Sequence, residues 1–219
     1  MTRLLFEKTG KAVWISHLDL MRLFQRAFQR AGLPLTHTHG FNPRPSVSIA
    51  LPMSVGVESG CELLDFALEG AAVPCDEIRD KLNAALVSGV RILRVYEDGQ
   101  KLKNLAWLDC CLTLEYDKGV PSEAAGSLRA LFSQPSLPVQ KKSKNGVSEQ
   151  DIIPLLNRVE LEQADENTLT LRARVRCQNP ALNPMQLIAA VDRYRAELSP
   201  DFCRCRRVEV YDENGNVFR

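Results

Sequence analysis

Apolar residues in this 219-residue chain recur with two periods that take turns in the same order twice, and that order restricts the fold more than any other feature. A period of two marks a strand with one buried face, and a spacing of three to four marks the buried stripe of a helix. In the first half, residues 3–9 and 11–16 read as extended and are broken by Thr9-Gly10-Lys11. A helix opens at Ser16, carries Leu20, Phe24, Ala27, Phe28 and Ala31 on one stripe, and ends at Gly32 and Pro34. Residues 47–52 and 62–68 read as strands, 76–86 as a helix with Ile78, Leu82 and Leu86 inward, and 90–96 as a closing strand. The second half repeats the order with a strand at 108–116, a helix at 122–132, extended segments at 138–144 and 158–164, a strand at 168–176, a helix at 185–198 and a strand at 204–211. No sequence repeat accompanies it. Element order β-α-β-β-α-β, met twice, predicts an α+β fold of two ferredoxin-like modules with antiparallel sheets. The polar run Glu97-Asp98-Gly99-Gln100-Lys101 marks a boundary, giving one module over 1–98 and a second over 104–219, and residues 143–151 read as an exposed loop.

Composition narrows the class of molecule. Hydrophobic residues are 45% and charged residues 25% of the chain, enough to build a core. No apolar run approaches the ~20 residues of a membrane span, and the first eight residues carry charges where a signal peptide would be apolar. The seven cysteines, odd in number and without CxxC spacing, suit reduced thiols. The expected location is therefore the cytoplasm. Net charge is only +1, yet residues 1–60 carry +4 and all three histidines, while residues 61–100 carry −4. The amino-terminal segment is the candidate anion-facing region.

Two features of that segment stand out. Ser16-His17-Leu18-Asp19 has the form of a capping box, and Arg22, Arg26 and Arg30 then repeat at helical spacing opposite the apolar stripe. Past the helix, His37-Thr38-His39-Gly40-Phe41-Asn42-Pro43-Arg44-Pro45 pairs two backbone-fixing prolines with a glycine, and displays His39, Asn42 and Arg44. Its plain reading is a rigid turn whose Phe41 plugs the core. Three histidines, His17, His37 and His39, invite a metal, but no cysteine is near and Asp19 is the only acid in the interval, so no metal or cofactor is expected. For His17 the simpler role is a helix-start residue bonding the backbone.

In the later strand, Arg172, Arg174 and Arg176 share one face and Leu169, Leu171, Ala173 and Val175 the other. The arginines are candidate phosphate contacts or, equally, rungs of a cross-strand charge ladder with Asp109 and Glu115. Cys203 and Cys205 read as small buried thiols, and Cys110-Cys111 place one thiol on each strand face, a poor ligand geometry.

Ile15-Ser16-His17-Leu18-Asp19-Leu20-Met21-Arg22, Arg26-Ala27, Arg30-Ala31-Gly32-Leu33-Pro34, Gly40-Phe41-Asn42-Pro43-Arg44-Pro45, Ala50-Leu51-Pro52, Gly56-Val57-Glu58-Ser59 and Glu62 form a string that resembles the radical SAM-linked protein family over about residues 1–70. The sequence departs from that pattern at His37-Thr38-His39, where a small residue is expected. The resemblance implies a partner radical SAM protein encoded nearby, with this chain presenting substrate through the Ser-His-Leu-Asp helix start and the Asn-Pro-Arg-Pro loop. No CxxxCxxC motif occurs in the chain, in keeping with an accessory role. The expected function is thus a non-catalytic accessory that binds RNA or a ribosome-associated component through Ser16, His17, Asp19, Arg22, Arg26, His39, Phe41, Asn42, Arg44 and the arginines of the later strand. The enzyme alternatives are a metal-dependent hydrolase and an endoribonuclease resembling the CRISPR repeat-processing enzymes. In the latter, His17 or His39 would act as acid or base beside Arg22 and Arg44.

Overall fold

Strand β1, Thr2–Lys8, alternates buried and partly exposed residues, and its neighbours are chosen by which apolar side chains can meet Leu4 and Phe6. In the computed structural model, which describes residues 2–143 and 146–219, the chain is a mixed α+β protein with antiparallel sheets and, among the described residues, four α-helices. It divides into two compact units, Met1–Leu102 with Arg219, and Lys103–Phe218. No described helix is long and apolar enough to cross a membrane.

The first unit runs β1, α1 (His17–Arg30), β2 (Val47–Ile49), β3 (Val57–Phe66), α2 (Cys75–Ala85) and β4 (Val90–Tyr96). Its strands lie in the order β4-β1-β3-β2, every pairing antiparallel. Leu4 stands opposite both Leu64 and Val95, so each rung of the sheet buries a row of apolar side chains. The stripe of α1 fills the space above them. Phe24 meets Phe6 edge to face at 4.8 Å between ring centroids, and Phe28 meets Phe66 at 4.9 Å. Each such buried ring contributes on the order of 2 kcal/mol. The terminal strand β4 is protected by Asn83 of α2. Its carboxamide donates to the carbonyl of Ile92 at 3.0 Å and accepts from that residue's amide at 2.8 Å, as a neighbouring peptide would.

Two expectations about this unit are corrected. Residues 11–16 are not extended: Gly10–Trp14 form a 3-10 turn, entered through Gly10 at φ 54°. Lys8 explains the coil, because its wholly buried ammonium donates to the carbonyls of Val13 and Ile15, both at 3.1 Å, and only a coiled segment turns both inward. The third strand begins at Val57, earlier than the apolar run indicates, since Glu58, Ser59 and Glu62 break the pattern yet lie in the strand. Across the sheet Arg3 grips Asp65 with two bonds, Nε to Oδ1 at 2.5 Å and Nη2 to Oδ2 at 3.0 Å, and donates a third to the carbonyl of Gln100 at 2.8 Å. Both side chains are at most 10% exposed.

The second unit runs β5 (Leu105–Glu115), α3 (Ala124–Phe132), β6 (Pro138–Ser143), β7 (Gly146–Asp151), β8 (Leu156–Gln163), β9 (Thr168–Arg176), α4 (Met185–Tyr194) and β10 (Phe202–Asp212). Its sheet has the order β10-β5-β9-β8, again antiparallel, and β6 and β7 pair as a separate hairpin. The expected loop at 143–151 is corrected by that hairpin, although Lys144 and Asn145 lie outside the described residues. The base of the hairpin is tied by Asp151, whose Oδ1 accepts the amides of Leu137 at 2.9 Å and Ile153 at 3.1 Å. These amides, that of Leu137 foremost, hold the Asp151 carboxyl below its usual range.

The arginine row of β9 sits as its alternation requires, with Leu169, Leu171, Ala173 and Val175 buried beneath it. Its charges are compensated. Arg174 binds Asp109 through two bonds of 2.6 and 2.9 Å and lies 3.8 Å from the Tyr211 ring centroid. Arg172 meets Glu162 at 3.1 Å, and Arg176 meets Glu213 at 2.7 Å while covering Trp107. Glu115, expected in this ladder, pairs with Arg204 of β10 instead.

Two stability predictions follow from these pairs. Asp65→Ala leaves the buried Arg3 guanidinium without its carboxylate, and is expected to lower unfolding free energy by about 3–5 kcal/mol in urea titration; a loss below about 1 kcal/mol would show the pair to be dispensable. Asp109→Ala removes charge-assisted bonds at a less enclosed site, and about 2 kcal/mol is expected by the same assay.

Candidate functional site

Burying the phenylalanine stripe of α1 forces its opposite face outward, and with it Arg22, Arg26 and Arg30. The helix starts where the capping residues place it. The Ser16 hydroxyl accepts the amide of Asp19 at 3.2 Å and donates to the Asp19 carboxylate at 2.7 Å, which in turn accepts Arg22 at 2.9 Å. The serine hydroxyl first, and then the Arg22 guanidinium, hold the Asp19 carboxyl below its usual range. Asp19 therefore offsets the charge of Arg22. Arg30 spends one donor on a neutral acceptor, the carbonyl of Ala85 at 2.7 Å, and pairs with no carboxylate among the described residues. Among the described residues no carboxylate pairs with Arg26 or Arg44.

The three helix arginines, successive along one face at about 6 Å per step, line one side of a cleft of about 500 Å³. Ile15, Leu23 and Val87 supply its apolar surface. A second cleft, of about 480 Å³, adjoins the C-terminal half of α1, and Arg26 lines both.

Residues 37–45 form a pinched loop beside this second cleft. His37 bridges to Pro45, the amide of Thr38 donates to the carbonyl of Arg44 at 2.8 Å, and the amide of Arg44 donates to the Thr38 hydroxyl at 3.0 Å. Gly40 takes φ 139° at the tip. The plain reading of Phe41 as a core plug is corrected: its ring is fully exposed, and His39, Asn42 and Arg44 are exposed with it.

The expected residues are thus dispersed over one helix and one loop. His17 is half-buried at the start of α1, with no hydrogen-bond partner for its Nδ1, whereas His39 follows the other end of that 14-residue helix. Among the described residues no group of three His, Cys, Asp or Glu side chains converges as metal ligands do. Trp14, 66% exposed in the turn before Ser16, was hidden by the extended reading of that segment. Gln25 and Gln29, one turn apart beside the arginines, and Glu69 were also missed. For the glutamines the helical spacing was a usable signal; for Glu69 there was none.

Among solved structures, a chain of the Cbf5-Nop10-Gar1 complex resembles this one at a TM-score of 0.51 and 8% identity, over 97% of this chain and 50% of that one. A chain of the archaeal box H/ACA sRNP Nop10-Cbf5 complex aligns at 0.41 and 9%, over 94% and 46%. The chain spans about half the length of both, and identities so low speak to the fold alone. No curated protein matches the sequence. None of these comparisons, nor the matching family's description, names a radical SAM protein. That family's profile matches residues 2–184, and the chain accordingly belongs to the family described as "Uncharacterized protein conserved in bacteria (DUF2344)".

Proposed function

We propose that this protein is a non-catalytic accessory that grips single-stranded RNA, or the RNA of a ribosome-associated substrate, and presents it to a radical SAM enzyme. We also read its two units as ferredoxin-like modules. The identical strand orders β4-β1-β3-β2 and β10-β5-β9-β8, each with the first strand between the last and the third, support that reading.

One observation carries the functional reading: the arginine-lined cleft of α1, with the exposed Trp14 ring in the turn before the helix and exposed Phe41 and Arg44 in the loop that follows it. Arginines at this helical spacing suit successive phosphates of an extended strand, and Trp14 and Phe41 offer the stacking surfaces that single strands require. The β9 arginines enter this reading weakly, since Glu162, Asp109 and Glu213 already compensate them. An endoribonuclease would need an acid and a base together, and His17 and His39 flank opposite ends of α1. Partnership with a radical SAM enzyme rests on the motif string of residues 15–62 and is to be checked by pull-down from native cells.

The RNA reading is tested by fluorescence anisotropy with a labelled single-stranded RNA across a salt series. Three phosphate contacts predict a slope of log K on log salt of about −2. The double variant Arg26→Ala/Arg44→Ala is expected to weaken binding more than about ten-fold and flatten the slope by about 1.4, with melting temperature nearly unchanged. A slope near zero in the parent protein would end the phosphate reading, and shortened RNA on a gel would move the assignment to a nuclease.

A further inference from the structure

The cleft beside the C-terminal half of α1 differs in chemistry from the arginine-lined one that it meets at Arg26. Its floor is apolar, made by Phe28, Leu33 and Leu35, all buried. Pro34 and Pro45 extend that surface toward the rim. At about 480 Å³ the space falls in the range of small-ligand sites. Such a surface accepts a planar ring.

The rim carries polar groups that the protein does not use. Among the described residues, the carboxamides of Gln25 and Gln29 and the carboxylate of Glu69 have no hydrogen-bond partner. The approach of His37 Nδ1 to Glu69 Oε1 is 3.8 Å, beyond hydrogen-bond distance. A carboxylate can only accept, so an occupant must bring donors to Glu69. Carboxamides both donate and accept, and Arg26 supplies a cation for an anionic group on the same occupant.

We infer that this pocket takes a single unstacked guanine nucleotide of a bound RNA strand. Guanine alone among the four RNA bases presents two adjacent N–H donors, N1 and N2, to one carboxylate; adenine, cytosine and uracil each offer a single nitrogen. Its ring lies against the accessible apolar surface of Pro34 and Pro45, over the floor closed by Phe28, Leu33 and Leu35, and its phosphate reaches Arg26. From there the strand continues into the arginine-lined cleft, which is why a strand rather than a free nucleotide is the occupant. The inference rests on the RNA reading above for that source.

The test uses the full chain, with anisotropy of a uridine-only RNA and of the same RNA carrying one central guanosine, and calorimetric titration with guanosine 5′-monophosphate. The guanosine strand is expected to bind about ten-fold tighter. Glu69→Ala, at an exposed position, is expected to bring the ratio of guanosine-strand to uridine-strand affinity to about one, with circular dichroism unchanged. Equal binding of the two strands by the parent protein would overturn the pocket and leave the phosphate surface standing. Tight binding of the mononucleotide with no binding of either strand would keep the pocket's chemistry but overturn the strand as its source. Binding of neither strand nor nucleotide would overturn both readings.

Discussion

The packing of α1 on β1 and β3 is the constraint on which the rest of the candidate surface depends. Phe24 and Phe28 are fully buried against Phe6 and Phe66, and a helix pinned by two such contacts cannot rotate without exposing them. Removing either ring would cost about 3–5 kcal/mol, far more than the few tenths that repulsion among exposed arginines can return. Core burial therefore decides where the arginines point. The cationic face is a consequence of the hydrophobic one, and its direction is fixed before any ligand arrives.

The same residue type behaves differently in the two units, and the neighbours explain why. On β9 the residues that face Arg172, Arg174 and Arg176 across the ladder or just beyond it include Glu162, Asp109 and Glu213, and aromatic rings of Tyr211 and Trp107 lie under two of the guanidinium groups. Desolvation of those cations is offset within the fold. Among the described residues Asp19, at the amino end, is the acid paired with an α1 arginine, and it meets Arg22 in an exposed pair of small worth. Arg26 and Arg44 pair with no carboxylate among the described residues, and theirs is the charge that a polyanion would neutralise.

Much of the architecture was legible because the periodicities are clean. The α1 stripe of Leu20, Phe24, Ala27 and Phe28 and the buried face of Leu169, Leu171, Ala173 and Val175 lie as their spacing requires. What was hidden depended on which polar side chains turn to backbone groups outside their own element. The coil at Gly10–Trp14 follows from a lysine burying its ammonium against two carbonyls, which no local pattern reveals, and with it the exposure of Trp14 was lost. The hairpin β6–β7 rests on Asp151 collecting two amides fourteen and two residues away in sequence. The candidate site divides the same way: the arginines and the proline loop were read from spacing, while Glu69 joins them only through the fold.

Lys8 ties this last point to function. A buried ammonium is costly unless its donors are met, and here Val13 and Ile15 take two of them where the chain bends immediately before Ser16. The capping hydroxyl of Ser16 then fixes the first turn of α1, so the start of the helix is set in part from a strand residue eight positions upstream of the cap, while the phenylalanine contacts decide where its arginines point. A methionine in place of Lys8 would fill similar volume without requiring the carbonyls to turn inward, and the turn would lose its reason to coil. By composition Lys8 counts among the cations of the amino-terminal segment, and only the fold shows that it is buried and turned to the chain rather than to a ligand.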